Sequence, residues 1–150
     1  MKKIGIIGAM ELEVEELKGK MTIQRTQEKA SMEFLEGTLN GTEVVIVRSG
    51  IGKVNAALCT QILCDCFQVS HIINTGVAGS LKNEIDIGDI VVSTDALHHD
   101  VDVRVFGYPL GEVPQMGCLA FPADGHLTAL AVSVCCEVNP DIKVYEGRVV

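Results

Sequence analysis

Three short apolar runs, each closing on a glycine-bearing turn, constrain this chain more than any other feature. Residues 3–8 (Lys-Ile-Gly-Ile-Ile-Gly), 43–48 and 69–75 each read as a strand. The turns that follow them are Gly8-Ala9-Met10, Ser49-Gly50-Ile51-Gly52 and Gly76-Val77-Ala78-Gly79. Val44 to Val47 is apolar without interruption, which predicts a strand covered on both faces. Helical periodicity follows the first two turns. Over 10–20, Met10, Val14, Leu17 and Met21 share one face; over 53–67, Val54, Leu58, Ile62 and Phe67 are the expected buried positions. Strand, turn and helix in alternation predict an α/β domain around a central mixed sheet.

The rest of the chain fits the same plan. Residues 32–39 and 43–48 flank Asn40-Gly41-Thr42, a strong hairpin signal. Residues 85–96 read as a strand entered through Gly88-Asp89. Residues 98–122 carry three glycines and three prolines and are expected to be partly irregular, the habit of functional or partner-packed segments. Asp124 is placed to cap a helix over 125–137, with Leu127, Leu130, Ala131, Val134 and Val138 along one face. A last strand starts at Ile142 and is still running at Val150, so the chain reads as one domain over 1–150, cut short at its C-terminal end.

Composition excludes several classes. A formal net charge of −8 argues against a nucleic-acid partner, which needs a basic footprint. A small neutral molecule is compatible with it. Trp is absent and aromatics make up 4%, so the core must rest on Val, Ile, Leu, Ala and Met. No apolar stretch approaches the roughly 18 residues of a membrane span, and no secretory leader precedes the first strand. The six cysteines have neither redox nor zinc spacing. The expected setting is a reducing cytoplasm, with the cysteines as thiols.

In open α/β sheets, ligands sit at the carboxyl ends of strands, where all three glycine turns fall. Ordinary strand-to-helix turns would look the same one at a time; three together favour a site. None is a phosphate loop, for neither G-x-G-x-x-G nor G-x-x-x-x-G-K-[ST] occurs. Among the acids after the first turn, Glu13 lies about 60° from Met10 on the helical wheel, whereas Glu11, Glu15 and Glu16 point at least about 100° away. Glu13 is thus the acid nearest the buried face. Two readings stand side by side: a base whose pKa partial burial raises, or a helix-flank residue that snorkels to water or complements the helix N-terminus. His98-His99-Asp100-Val101-Asp102 has metal-binding residue types, but neighbouring strand residues face opposite ways and no second cluster supplies ligands. A hydrogen-bonded His–Asp pair is the simpler expectation. Ser49 has no His–Asp context that would make it a nucleophile.

Taken together, these segments resemble one family. Met1-Lys2-Lys3-Ile4-Gly5-Ile6-Ile7-Gly8-Ala9-Met10-Glu11-Leu12-Glu13 is similar to the opening of bacterial 5′-methylthioadenosine/S-adenosylhomocysteine nucleosidases. Ser49-Gly50-Ile51-Gly52-Lys53-Val54-Asn55-Ala56-Ala57 and Ile73-Asn74-Thr75-Gly76-Val77-Ala78-Gly79 resemble the family's second and third signatures. Gly88-Asp89-Ile90-Val91-Val92-Ser93, His99-Asp100-Val101-Asp102-Val103 and Phe106-Gly107-Tyr108 continue the likeness in order.

The resemblance implies a three-layer nucleoside phosphorylase-like fold, a homodimer, and no metal or cofactor. It implies hydrolysis of the N-glycosidic bond of methylthioadenosine and S-adenosylhomocysteine, releasing adenine. By that likeness Glu13 activates the attacking water. Ala9, Met10 and Ile51 line the ribose and alkylthio region, and Val77, Ala78 and Gly79 form the turn beside purine and ribose. Phe106 and Pro114 close the thioalkyl pocket of the neighbouring subunit. Val77 stands where some relatives have Ser and offers only its backbone.

The family's adenine-protonating Asp, ribose-gripping Met-Glu and adenine-stacking Phe match nothing in these residues. The 150-residue chain is therefore expected to be weakly active or inactive alone. A phosphate-dependent phosphorylase, with Arg48 as the anion-binding cation, is the alternative enzyme. A nucleoside-binding or dimerising protein without turnover is the non-catalytic one.

Overall fold

The computed structural model describes residues 3–150; Met1 and Lys2, which open the first signature, lie outside the described residues. Contacts divide the chain into two compact units, Met1–Gly79 and Ser80–Val150.

The first unit holds β1 (Ile4–Gly8), α1 (Glu15–Lys20), β2 (Thr22–Lys29), β3 (Met32–Leu39), β4 (Thr42–Arg48), α2 (Lys53–Phe67) and β5 (His71–Asn74). Its sheet runs β2-β3-β4-β1-β5. β1 pairs in parallel with β4 and β5, while β2, β3 and β4 pair antiparallel, so the sheet is mixed as expected. Period-two alternation sorts the side chains to its two faces. Ile7, Phe34, Val45 and Val47 face α2 through Cys59, Leu63 and Phe67. Ile6, Leu35, Val44 and Ile46 face the other way, onto Val14 and Met21 beside α1. Helix, sheet and helix make three layers. Val44 to Val47 are buried on both sides, as their unbroken apolar run predicts. The core is aliphatic around one stacked aromatic pair, Phe34 and Phe67, whose ring centroids are 5.0 Å apart.

Several expectations change in detail. The helix expected over 10–20 is a 3-10 turn, Glu11–Glu13, followed by α1. Val14 separates them at φ −127° and is fully buried. β2 escapes the sequence reading altogether. All its residues but Ile23 are polar and most are exposed, and its turn to β3 uses Ala30 and Ser31 at positive φ, where no Gly or Asn announces it. The β3–β4 hairpin does turn at Asn40-Gly41, both at positive φ. α2 keeps its bounds, and Phe67 is buried and Ile62 packs on the core as expected, but Cys59 and Leu63 take the places expected of Val54 and Leu58. Measured from Leu63, Cys59 and Phe67 lie about 40° away, Leu58 about 140° and Val54 about 180°. Leu58 and Val54 are accordingly exposed. β5 is shorter than 69–75, and Ile73 and Asn74 are exposed at this edge of the sheet.

The second unit holds β6 (Ile90–Ala96), β7 (Phe121–Pro122), α3 (Gly125–Val138) and β8 (Val144–Val149), with sheet order β7-β6-β8. β6 and β8 are parallel, and Arg148 grips Asp95 across them with two bonds of 2.7 and 2.8 Å. The strand expected from 85 starts only at Ile90. Asp86 to Asp89 form a turn in which the Asp86 N–H donates to Asp89 Oδ2 at 2.9 Å. The Leu127 N–H donates to Asp124 Oδ1 at 2.9 Å, the predicted cap of α3. Leu127 and Ala131 are half-buried together with Thr128, Val132 and Cys135; Leu130, Val134 and Val138 of the expected face are exposed. The segment from 98 to 120 has one 3-10 turn, Arg104–Phe106, and is otherwise irregular. Among the described residues no helix is long and apolar enough to cross a membrane.

Candidate active site

The three glycine turns leave the carboxyl ends of β4, β1 and β5, three neighbouring parallel strands of the first unit. Backbone bonds hold their departures together. The Ser49 N–H donates to the Gly8 carbonyl at 2.9 Å, and the Thr75 N–H to the Ile7 carbonyl at 2.9 Å. Buried Ser49 adds its hydroxyl, which donates to the Gly50 carbonyl at 2.9 Å and lies 3.4 Å from the Gly8 carbonyl. Asn55, one turn into α2, fixes the middle turn by donating from Nδ2 to the Ile51 carbonyl at 2.8 Å.

Glu13 ties the first turn to the third. Oε2 accepts from the Met10 N–H at 2.8 Å, the reach-back half of a capping box. Oε1 accepts from the Val77 N–H at 3.0 Å. Both sequence readings of Glu13 therefore hold part of the geometry. Capping its own turn occupies one oxygen; it gives no reason for the other to meet the amide of a different strand's turn. The carboxylate is half-buried. Its pKa is nevertheless lowered, first by the Met10 amide, then by Val77 and least by Ala9, against an opposing desolvation. The expected rise from partial burial is thus corrected. Glu13 is ionised at neutral pH, and each oxygen keeps a second lone pair for another donor.

Room for that carboxylate comes from two glycines. A Cβ on Gly76 would lie 2.5 Å from Glu13 Oε1, and one on Gly8 would lie 3.0 Å from Glu13 Cβ. Ala9 and Met10 are half-buried in the first turn. Ile51 is 74% exposed in the second and Val77 76% exposed in the third, with Ala78 and Gly79 exposed beside it. The first unit thus gathers Glu13, Ala9, Met10, Ile51, Val77, Ala78 and Gly79 at one end of its parallel strands. Phe106 and Pro114 belong to the irregular segment of the second unit, Phe106 exposed and Pro114 half-buried.

Sequence reasoning passed over Ser49 and Gly76 as contributors. The available signal was a polar residue between an apolar strand and a glycine, and a glycine at the strand end facing an acid. Arg48 stands 3.7 Å from Glu11, which also accepts from Lys18 at 2.7 Å, so the cation at the first turn already has a carboxylate. His98 stacks edge-on to Phe121, with centroids 6.2 Å apart. Among the described residues no group of three or more His, Cys, Asp or Glu could hold a metal ion.

A sequence model of the phosphorylase superfamily matches residues 3–150. The 5′-methylthioadenosine/S-adenosylhomocysteine nucleosidase of Exiguobacterium sp. (strain ATCC BAA-1283 / AT1b) is 49% identical over 151 residues, covering 99% of this chain and 63% of the relative. That of Chromohalobacter salexigens is 46% identical over 149 residues, with the same coverage of 99% and 63%. The crystal structure of the Colwellia psychrerythraea 34H nucleosidase in complex with adenine superposes with a TM-score of 0.93 at 46% identity, over 98% of this chain and 60% of that one. The Neisseria meningitidis enzyme in complex with methylthio-immucillin-A gives 0.92 at 38% identity, over 99% and 63%. The chain spans 63% of the length of the curated relatives it matches.

Proposed function

We propose a nucleosidase reading for this chain, which belongs to the phosphorylase superfamily. The reaction is hydrolysis of the N-glycosidic bond of 5′-methylthioadenosine or S-adenosylhomocysteine, with release of adenine. The observation that carries this reading is the Glu13 carboxylate, held between the Met10 and Val77 amides among the three turns. Relatives 46% and 49% identical to this chain are named for this activity, and one solved structure, 46% identical, has adenine bound.

The chemistry suits a pre-ionised, fixed carboxylate. Departure of the base leaves an oxocarbenium-like sugar centre, as in other glycoside hydrolyses. Water attacking such a centre becomes strongly acidic as its bond to carbon forms. A carboxylate of lowered pKa then suffices to take its proton, provided it is correctly placed. Two oriented amides supply that placement. Ala9, Met10 and Ile51 are assigned to the ribose and alkylthio groups, and Val77, Ala78 and Gly79 to the purine–ribose side. Phe106 and Pro114 are assigned to the thioalkyl pocket of a neighbouring subunit in a homodimer. The 150 residues act as one nucleosidase domain in the cytoplasm. By the resemblance they hold the water-activating Glu13 but no counterpart of the leaving-group acid, so alone they turn over near background.

Phosphorolysis needs a free cation where phosphate would bind. Arg48 is instead set beside Glu11, and four acids, Glu11, Glu13, Glu15 and Glu16, crowd that turn. The two reactions separate in one assay. The chain is fused to the part of the Exiguobacterium relative outside the matched 63% and incubated with methylthioadenosine. Adenine and free methylthioribose at a rate independent of phosphate are expected. A strict phosphate requirement with a sugar 1-phosphate product would replace hydrolysis by phosphorolysis.

A further inference from the structure

Gly76 carries no side chain, and we propose that this absence makes it a positioning residue for Glu13, leaving the space in which the carboxylate meets the Val77 amide. A Cβ built on Gly76 would lie 2.5 Å from Oε1, 2.8 Å from Cδ and 3.2 Å from Oε2 of Glu13. Real carbon atoms do not approach that closely. Gly76 is absent from the positive-φ glycines, so its backbone conformation does not itself require glycine. Space for the acid is the reason that remains.

Two comparisons sharpen this. Gly8 forms the other wall, but a Cβ there would first strike Val14 Cγ1, at 2.7 Å, in the buried core. Alanine at that position would disturb packing that does not yield. At Gly76 the obstructed group is the tip of a flexible side chain, so the chain can fold and the carboxylate moves instead. Gly79, three residues along the same turn, meets nothing within 4 Å. The requirement for glycine is therefore local to the residue that faces Glu13. A displaced carboxylate keeps its reach to Met10 within its own turn and loses the Val77 bond, which crosses from β1 to β5. For the nucleosidase reading, on which its functional meaning rests, the base would then be out of line with its water.

The test follows the Glu13 carboxyl carbon and the Val77 amide by NMR during a pH titration of the 150-residue protein, its Gly76→Ala variant and its Gly79→Ala variant. In the unaltered protein the Glu13 midpoint is expected below the ordinary 4.5, with the Val77 amide shifting along the same curve. Gly76→Ala is expected to move the midpoint up toward 4.5 and to uncouple Val77 from it. Gly79→Ala is expected to leave both as they were. A Gly76→Ala protein with an unmoved midpoint and a coupled Val77 amide would overturn the proposal.

A cycle of urea unfolding constants covers poor folding. Glu13→Ala should cost less in the Gly76→Ala background, by on the order of tenfold, because one of the carboxylate's bonds is already lost there. If Gly76→Ala alone does not fold, Glu13→Ala with Gly76→Ala must fold, since the obstructing group is gone. Equal costs in both backgrounds, or a double variant that also fails to fold, would equally contradict it. Neither readout involves turnover. Intact coupling in the 150-residue protein without nucleosidase activity in the fused protein would sink only the functional reading, and activity of the fused protein without coupling only this one.

Discussion

The Val77 backbone N–H donates to Glu13 Oε1 at 3.0 Å, joining an acid after the first strand to a turn 64 residues further along the chain. Sequence-distant groups meet here because parallel neighbours in a sheet bring their carboxyl ends to one side. After the Met10 amide, which acts most strongly, this bond lowers the pKa of the acid, and that has a measurable pH signature.

Glu13 is held below its ordinary pKa in the folded protein, so its contribution to stability is present above about the unfolded value and is lost as pH falls through the folded one. The difference in unfolding free energy between the unaltered protein and Glu13→Gln is expected to hold constant from neutral pH down to about the ordinary 4.5 and to shrink only below it. Urea unfolding at a series of acidic pH values measures it. A difference that stays constant there too, or grows on acidification, would mean that the amides of Met10 and Val77 do not hold the ionised form.

Ser49 is buried at the exit of β4 and donates its hydroxyl to the Gly50 carbonyl at 2.9 Å. Ser49→Ala removes that donor and leaves a carbonyl without its partner. The expected loss is about 1 kcal/mol of stability, within the span of single neutral hydrogen bonds. Chemical denaturation reads this directly, and no change would show the hydroxyl to be dispensable.

The inward row of α2 is Cys59, Leu63 and Phe67, whereas Val54 on the same helix is 83% exposed. Leu63→Ala is expected to cost about 2–5 kcal/mol, the usual range for a buried leucine. Val54→Ala is expected to stay within about 0.5 kcal/mol of neutral. The reverse order in unfolding midpoints would restore the row that apolar periodicity alone suggests.

Burial pushes the Cys59 thiol up to about 11, while Cys64, Cys66 and Cys136 are exposed. Thiolate is the reactive form, so Cys59 is nearly inert at mildly alkaline pH in the folded state. Alkylation at pH 8 followed by mass spectrometry should label the exposed cysteines first and Cys59 only on denaturation. Early labelling of Cys59 would place it outside the core.

How far the sequence carries depends on whether a residue's partner is local. The Asn40-Gly41 hairpin and the Asp124 cap are local chemistry and were legible in full. Val44 to Val47 announced a doubly covered strand through an unbroken apolar run. β2 was not legible, since a polar edge strand with an Ala-Ser turn carries neither alternation nor a turn residue. The face of α2 is legible only at Ile62 and Phe67; Val54 and Leu58 point away because the helix has apolar residues on opposite sides, and only the sheet decides between them. Glu13 falls between. Helical geometry picked it out among four neighbouring acids, but the direction of its pKa depends in part on an amide from another strand's turn.

The rate of adenine release from methylthioadenosine by the fused protein, with Glu13 and with Glu13→Gln, tests the central claim most directly. Glutamine preserves size and an acceptor oxygen but cannot take up the water's proton. The expected result is a fall of about 10²–10⁴-fold in kcat, with KM little altered. An unchanged kcat would contradict the assignment of Glu13 as the base.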